Sequence, residues 1–227
     1  MEESWDLEYE RGRYVADPPV AFVRDILTAA RSEDVLASPS LYVGCGNGRN
    51  YVPLVQGGFE DLLGIDASPI AVDQLVRRSR RRTRAIVGTV GCLAPEARFA
   101  TVIGIQVFQH GARAVAHSHI EAARRLLAPG GLFCIRVNSA DTDVEHRHEI
   151  VETHDDGGFT IRYLDGPKEG LGIHFFSKPE LEGLLGEGGA TAVLELRRST
   201  TVRIPPHEGQ WSQWEAIYRA PGSRFAR

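Results

Sequence analysis

Apolar residues recur along this chain in two rhythms, and the alternation between them predicts its elements. Val20, Val23, Ile26 and Leu27 fall on one stripe of a helix over residues 20–30. Short apolar runs of strand length follow: Leu41-Tyr42-Val43 before a glycine turn, LLGID at 62–66, RAIVG at 84–88, ATVIGIQVF at 100–108 and GLFCIRVN at 131–138. Helical stretches separate them. One starts at Ser68-Pro69, with Ser68 as N-cap and Pro69 at the first helical position, where its missing N–H leaves no bond unmade. Another reads HSHIEAARRLLA and is closed by Pro129-Gly130-Gly131. Further on, Ser177 caps a helix that carries Pro179 in its first turn and Leu181, Leu184 and Leu185 on one face. TAVLEL (191–196) and QWEAIYRA (213–220) read as the sixth and seventh strands. Strands alternating with helices predict parallel βαβ units in one α/β domain spanning residues 1–227.

Two stretches break the rhythm. Residues 1–19 are polar, end in Asp17-Pro18-Pro19 and read as a surface arm. Residues 139–176 crowd Asp, His and Glu together and read as an insertion, a solvated lid between the fifth strand and its helix.

Candidate chemistry starts at Gly44-Cys45-Gly46-Asn47-Gly48, which follows a strand and opens a helix. Glycines let the backbone turn sharply and approach a ligand closely, and a helix start offers free N–H groups. Asp66 ends the second strand, where an acid can reach ribose hydroxyls. In the dinucleotide fingerprint G-x-G-x-x-G the third glycine falls at the sixth position; here Arg49 stands there and the glycine comes one residue early. A nicotinamide oxidoreductase is opposed on that spacing.

VGCGNGR, GIDASP and LAPGGLF, in that order, resemble the motifs of class I S-adenosylmethionine-dependent methyltransferases. HFFSKPELEGLL and QWSQWEAIYRAP resemble the last helix and final strand of small-molecule members. The arm, with Trp5, Tyr9 and Tyr14, is similar to the N-terminus of tellurite-resistance-type members. The resemblance implies a Rossmann-like fold, a seven-stranded, mostly parallel sheet whose last strand is antiparallel. It implies S-adenosyl-L-methionine as cofactor, held by Gly44, Gly46, Gly48 and Asp66, with Ala67, Thr89, Val90, Ile105, Gln106 and Tyr14 completing the site. The sequence departs from the family pattern at two places: Tyr42 stands where an acid usually precedes the first glycine, and Thr89 where an acid often meets the adenine.

Methyl transfer is an in-line displacement, in which the enzyme's main task is to hold the nucleophile against the methyl carbon. A base is needed only where the nucleophile must lose a proton. By position at the strand ends, His110 is the first candidate base and His146 the next, and Arg136 is a candidate carboxylate clamp. No metal is expected: Asp141, Asp143, Glu145, His146, His148, Glu149, His154, Asp155 and Asp156 show no recognised ligand spacing.

Charge and composition narrow the partners. A formal net charge of −4 disfavours a nucleic-acid partner, and RRSRRRTR (77–84) reads as the exposed end of a helix. Three dispersed cysteines fit a reducing cytosol rather than disulfides. The charged N-terminus is no signal peptide, and no apolar run reaches the roughly 20 residues that span a bilayer. The expectation is a cytoplasmic methyltransferase with a small-molecule acceptor. The alternatives are a nucleic-acid or protein methyltransferase, or a cofactor-binding protein without catalysis.

Overall fold

The computed structural model describes residues 2–12, 14–79 and 83–222. Five strands run parallel at its centre: β1 (Ser40–Val43), β2 (Leu62–Asp66), β3 (Arg84–Val87), β4 (Phe99–Ile105) and β5 (Leu127–Asn138). A separate antiparallel sheet holds β6 (His148–Thr153), β7 (Phe159–Tyr163) and β8 (Gly172–Phe175). The chain then returns to the main sheet as β9 (Thr191–Val202) and β10 (Gln210–Arg219). The order is β3-β2-β1-β4-β5-β10-β9, and β10 lies antiparallel to both its neighbours. This is the seven-stranded, mostly parallel sheet with an antiparallel last strand that the sequence implies.

Both faces of the sheet are covered, which is why β4 is buried at every position. Successive side chains of a strand point to opposite faces. In β5, Leu132 and Cys134 join the core beneath α2 (Phe22–Ser32), α3 (Tyr51–Gln56) and α4 (Pro69–Arg78). Phe133, Ile135 and Val137 join the opposite core beneath α5 (Arg113–Arg124) and α6 (Lys178–Gly186). Burying each such side chain contributes roughly 1.5–3 kcal/mol.

The helix starts follow the sequence rules. Ser68 Oγ accepts from the Ala71 amide at 3.1 Å, with Pro69 behind it. Ser177 Oγ accepts from the Glu180 amide at 3.2 Å while the Glu180 carboxylate reaches back to the Ser177 amide, a reciprocal cap.

Three expectations need correction. The helix read at 117–128 runs instead from Arg113 to Arg124, and Pro129-Gly130-Gly131 lies inside β5 at a register shift against β4. A side chain at Gly131 would meet the Ala128 carbonyl at 2.9 Å, so the glycine marks a close strand approach rather than a helix stop. The arm, read as lying on the surface, carries a packed helix: α1 (Glu2–Glu10) packs over α4 and the turn at Gly166–Lys168, with Glu8 and Tyr9 buried. The insertion carries a core of its own, Ile161, Tyr163, Ile173 and Phe175, rather than being solvated throughout. Arg13 and the arginines at 80–82 of the basic run lie outside the described residues.

Candidate active site

The glycine turn and Asp66 are welded into one unit. Gly44 and Cys45 donate backbone N–H groups to the Ile65 carbonyl at 2.8 and 3.1 Å. Asp66 Oδ2 accepts from the Gly46 amide at 2.8 Å and Oδ1 from the Ser68 amide at 3.0 Å. Burial pushes the Asp66 carboxyl up, and the two amides pull against it. Gly46 sits at φ 54°, and a side chain there would lie 2.7 Å from Tyr9 Oη of α1. The arm therefore rests directly on the turn. The Gln74 side chain donates to the Tyr9 carbonyl at 2.9 Å, and Ser68 Oγ donates to Asp6, fixing α1 to α4. The helix after the turn is shorter than the sequence suggests: α3 starts only at Tyr51.

Between this unit and the end of β4 lies a cavity of about 400 Å³. Gly44, Asp66, Ala67, Thr89, Val90, Gln106 and His110 line it, together with Trp5, Phe108, Val115 and His119. A smaller space of about 80 Å³ shares Trp5, Tyr9, Gly44 and Gln106 with it and adds Gly46, Tyr14 and Ile105. So nine of the ten candidate cofactor residues line one space or the other. Gly48 lines neither: its α-carbon faces Leu75 of α4, which a side chain would strike at 2.5 Å.

His110 is the candidate base that the fold brings in. It follows Gln106, which takes a left-handed turn at φ 57°. A β-bridge to Ile173 and the Gly111 amide on the Gly172 carbonyl at 2.8 Å tie its segment to β8. Trp5 meets its ring edge-on at 5.0 Å. Burial, then the charge of Lys168, lowers its pKa to about 4 against a hydrogen bond with the Gln106 backbone. The ring is therefore neutral at pH 7, and Nδ1 finds no partner among the described residues.

The other two catalytic candidates fall outside the cavity lining. Arg136 faces the α2 side of the sheet and donates through Nε to Glu215 Oε1 at 2.9 Å. Arg197 engages the other oxygen of Glu215, at 2.9 Å, and Asp25 as well, so Arg136 belongs to a structural ion-pair network. His146 lies between β5 and β6, exposed, with its ring centre 6.1 Å from that of Tyr163.

At the two departures from pattern the structure supplies neutral groups. Tyr42 is buried and its hydroxyl accepts from Asn50 Nδ2 at 3.3 Å; Asn50 Oδ1 in turn accepts from the Val20 amide at 3.0 Å. Thr89 sits at the cavity rim before a turn at Val90–Cys92. Of the lining residues that sequence reasoning missed, Val115 and His119 come from α5. Their i,i+4 spacing places them on one face of α5, a signal that the strand-end reading did not use.

Residues 41–131, which carry the glycine turn, Asp66 and His110, match the family model described as a methyltransferase domain. That stretch is a methyltransferase domain. No curated protein matches it. Among solved structures, it is similar to the 1,6-didemethyltoxoflavin-N1-methyltransferase of Burkholderia thailandensis with bound 1,6-didemethyltoxoflavin and S-adenosylhomocysteine. The identity is 21%, over 97% of this chain and 87% of that one, with a TM-score of 0.67. It is similar to the magnesium protoporphyrin IX methyltransferase of Synechocystis PCC 6803 with bound SAM, at 14% identity over 96% and 94% of the chains and a TM-score of 0.64. TehB from Haemophilus influenzae matches at 15% identity over 86% of this chain and 61% of that one, with a TM-score of 0.60. At these identities the likeness shows the class I methyltransferase fold. No helix among the described residues is long and apolar enough to cross a membrane.

Proposed function

We propose that this protein transfers the methyl group of S-adenosylmethionine to a small-molecule acceptor held in the cavity between the glycine turn and His110. The methyl donor is supported by the methyltransferase domain and by similar structures that hold S-adenosylhomocysteine or SAM. One observation carries the acceptor side: a neutral His110 lines the cavity beside apolar walls from Trp5, Phe108 and Val115. Such a wall favours a mostly apolar acceptor, with one polar group to meet the imidazole.

The chain's own residues divide the work. Asp66 still has free lone pairs beyond its two amide bonds and takes the ribose hydroxyls. Gly44 and Gly46 leave room for the donor's amino-acid end, and Thr89 and Val90 flank the adenine end. Bound S-adenosylmethionine supplies an electrophilic methyl carbon. Trp5 and His110 orient the acceptor toward it, and α1 lies over the glycine turn through Tyr9. Only an acceptor that must lose a proton would need His110 as base. The protein works on its substrate in the cytoplasm, and nucleic acid is not its partner.

The test is a screen of small heteroaromatic, phenolic and thiol acceptors with radiolabelled S-adenosylmethionine. Label in an organic-extractable product supports the reading. Label transferred only to added RNA, DNA or protein contradicts it.

A further inference from the structure

Behind the candidate site, where the insertion meets α5 and α6, the fold gathers a polar cluster that methyl transfer does not use. His117 Nε2 and His174 Nε2 both approach Glu180 Oε1, at 2.6 and 2.9 Å. Arg113 Nε lies 3.0 Å from the same oxygen, and its other end pairs with Asp156. Glu152 Oε2 accepts from the Arg113 amide at 3.0 Å and from the Thr160 hydroxyl at 2.7 Å. Thr160 Oγ1 also lies 2.9 Å from His174 Nδ1. The His174 and Glu180 side chains are 0% and 1% exposed.

Proton counting decides how His174 is used. Hydrogen bonds from the Arg113 amide and Thr160 hold the Glu152 carboxyl below its ordinary range, so Glu152 only accepts. The single Thr160 proton therefore goes to Glu152. His174 Nδ1 must then carry a hydrogen and donate it to Thr160. Nε2 is then the atom that His174 turns toward Glu180 Oε1. Three carboxylates, Glu152, Asp156 and Glu180, crowd around Arg113, and His154 Nε2 lies 3.8 Å from Glu152 Oε2.

We propose that His117 Nε2, His174 Nε2 and Glu180 Oε1 bind a zinc-class divalent cation. Two imidazoles and a carboxylate are a zinc ligand set, and ligand bonds of about 2.0–2.2 Å place neighbouring donor atoms roughly 3 Å apart. These three atoms already lie within 4.8 Å of one another. The chain from His174 through Thr160 to Glu152 is the outer support that fixes a ligating imidazole's tautomer. The ion pins β8 and α6 to α5. The His174 amide donates to the Gln109 carbonyl at 2.8 Å, so the ion steadies the backbone beside His110. The site does not rest on the methyltransferase reading, since no ligand residue lines the cavity.

The experiment uses untagged protein, stripped with a chelator and titrated with Zn²⁺ alone by calorimetry, with metal content read after gel filtration. The expected result is one zinc per chain, with binding at least about tenfold weaker in His117→Gln. His117 is partly exposed on α5, so this variant keeps its fold, and a circular dichroism melt checks that. His146→Gln, at an exposed histidine outside the cluster, binds zinc like the wild type. Cobalt in place of zinc gives a visible d–d band in the wild type that His117→Gln lacks. No stoichiometric zinc in the wild type, or equal binding by His117→Gln, overturns the site.

Discussion

Burial of a neutral imidazole at His110 makes a prediction whose size follows from the structure. Its pKa falls from 6.5 to about 4, because burial and Lys168 outweigh the bond to the Gln106 backbone. The unfolded chain takes up a proton below pH 6.5 that the folded chain refuses until about pH 4. Folding stability from this group is therefore complete above about pH 6.5 and drains away as the pH falls toward 4. At about 1.4 kcal/mol per tenfold, the part lost between pH 7 and pH 5 is roughly 2 kcal/mol. Urea unfolding of the wild type and of His110→Asn at both pH values isolates it, because every other titrating group is common to the two proteins. The wild type should lose roughly 2 kcal/mol more than the variant over that interval. Equal losses would refute the buried, neutral His110 and with it the neutral imidazole in the cavity wall.

The remaining predictions test the parts around it. Asp66→Asn replaces an acceptor oxygen by a donor facing an amide, so S-adenosylhomocysteine should bind more weakly by about 1.5–3 kcal/mol, roughly 10- to 150-fold, in a calorimetric titration. Unchanged affinity in a folded variant would remove Asp66 from the cofactor site. Arg136→Met strips a partner from buried Glu215 and should cost roughly 3 kcal/mol in urea unfolding, while S-adenosylhomocysteine affinity stays within about twofold. A stable variant that no longer binds would return Arg136 to the site. Gly104→Ala places a methyl group 2.0 Å from the Phe108 ring, so it should destabilise by about 1–3 kcal/mol, read from the thermal melt. A wild-type melt would show that Phe108 is free to move out of the cavity wall.

What could be read without coordinates was whatever has a fixed local cause. The parallel sheet follows from strand-length apolar runs alternating with helices, and Ser68 and Ser177 cap helices because their hydroxyls sit three residues before an amide they can serve. The glycine turn and Asp66 were legible because their roles depend on backbone geometry. Arg136 was misread because its strand position was visible but its partner, Glu215, is 79 residues away in the chain. The arm read as a surface arm because α1 is polar overall and is held by α4 contacts, not by an apolar stripe of its own. The insertion hid its sheet because β6 is mostly exposed and only β7 and β8 supply the small core. His117, His174 and Glu180 meet from three elements, so no spacing along the chain announces them.

The central claim is that the space between the glycine turn, Asp66 and β4 is built for S-adenosylmethionine. Calorimetric titration of the wild-type protein with S-adenosylhomocysteine, with NAD as the control ligand, tests it most directly. Micromolar, one-to-one binding of S-adenosylhomocysteine and no heat from NAD is the expected result. Binding of NAD alone, or of neither ligand by folded protein, would contradict it.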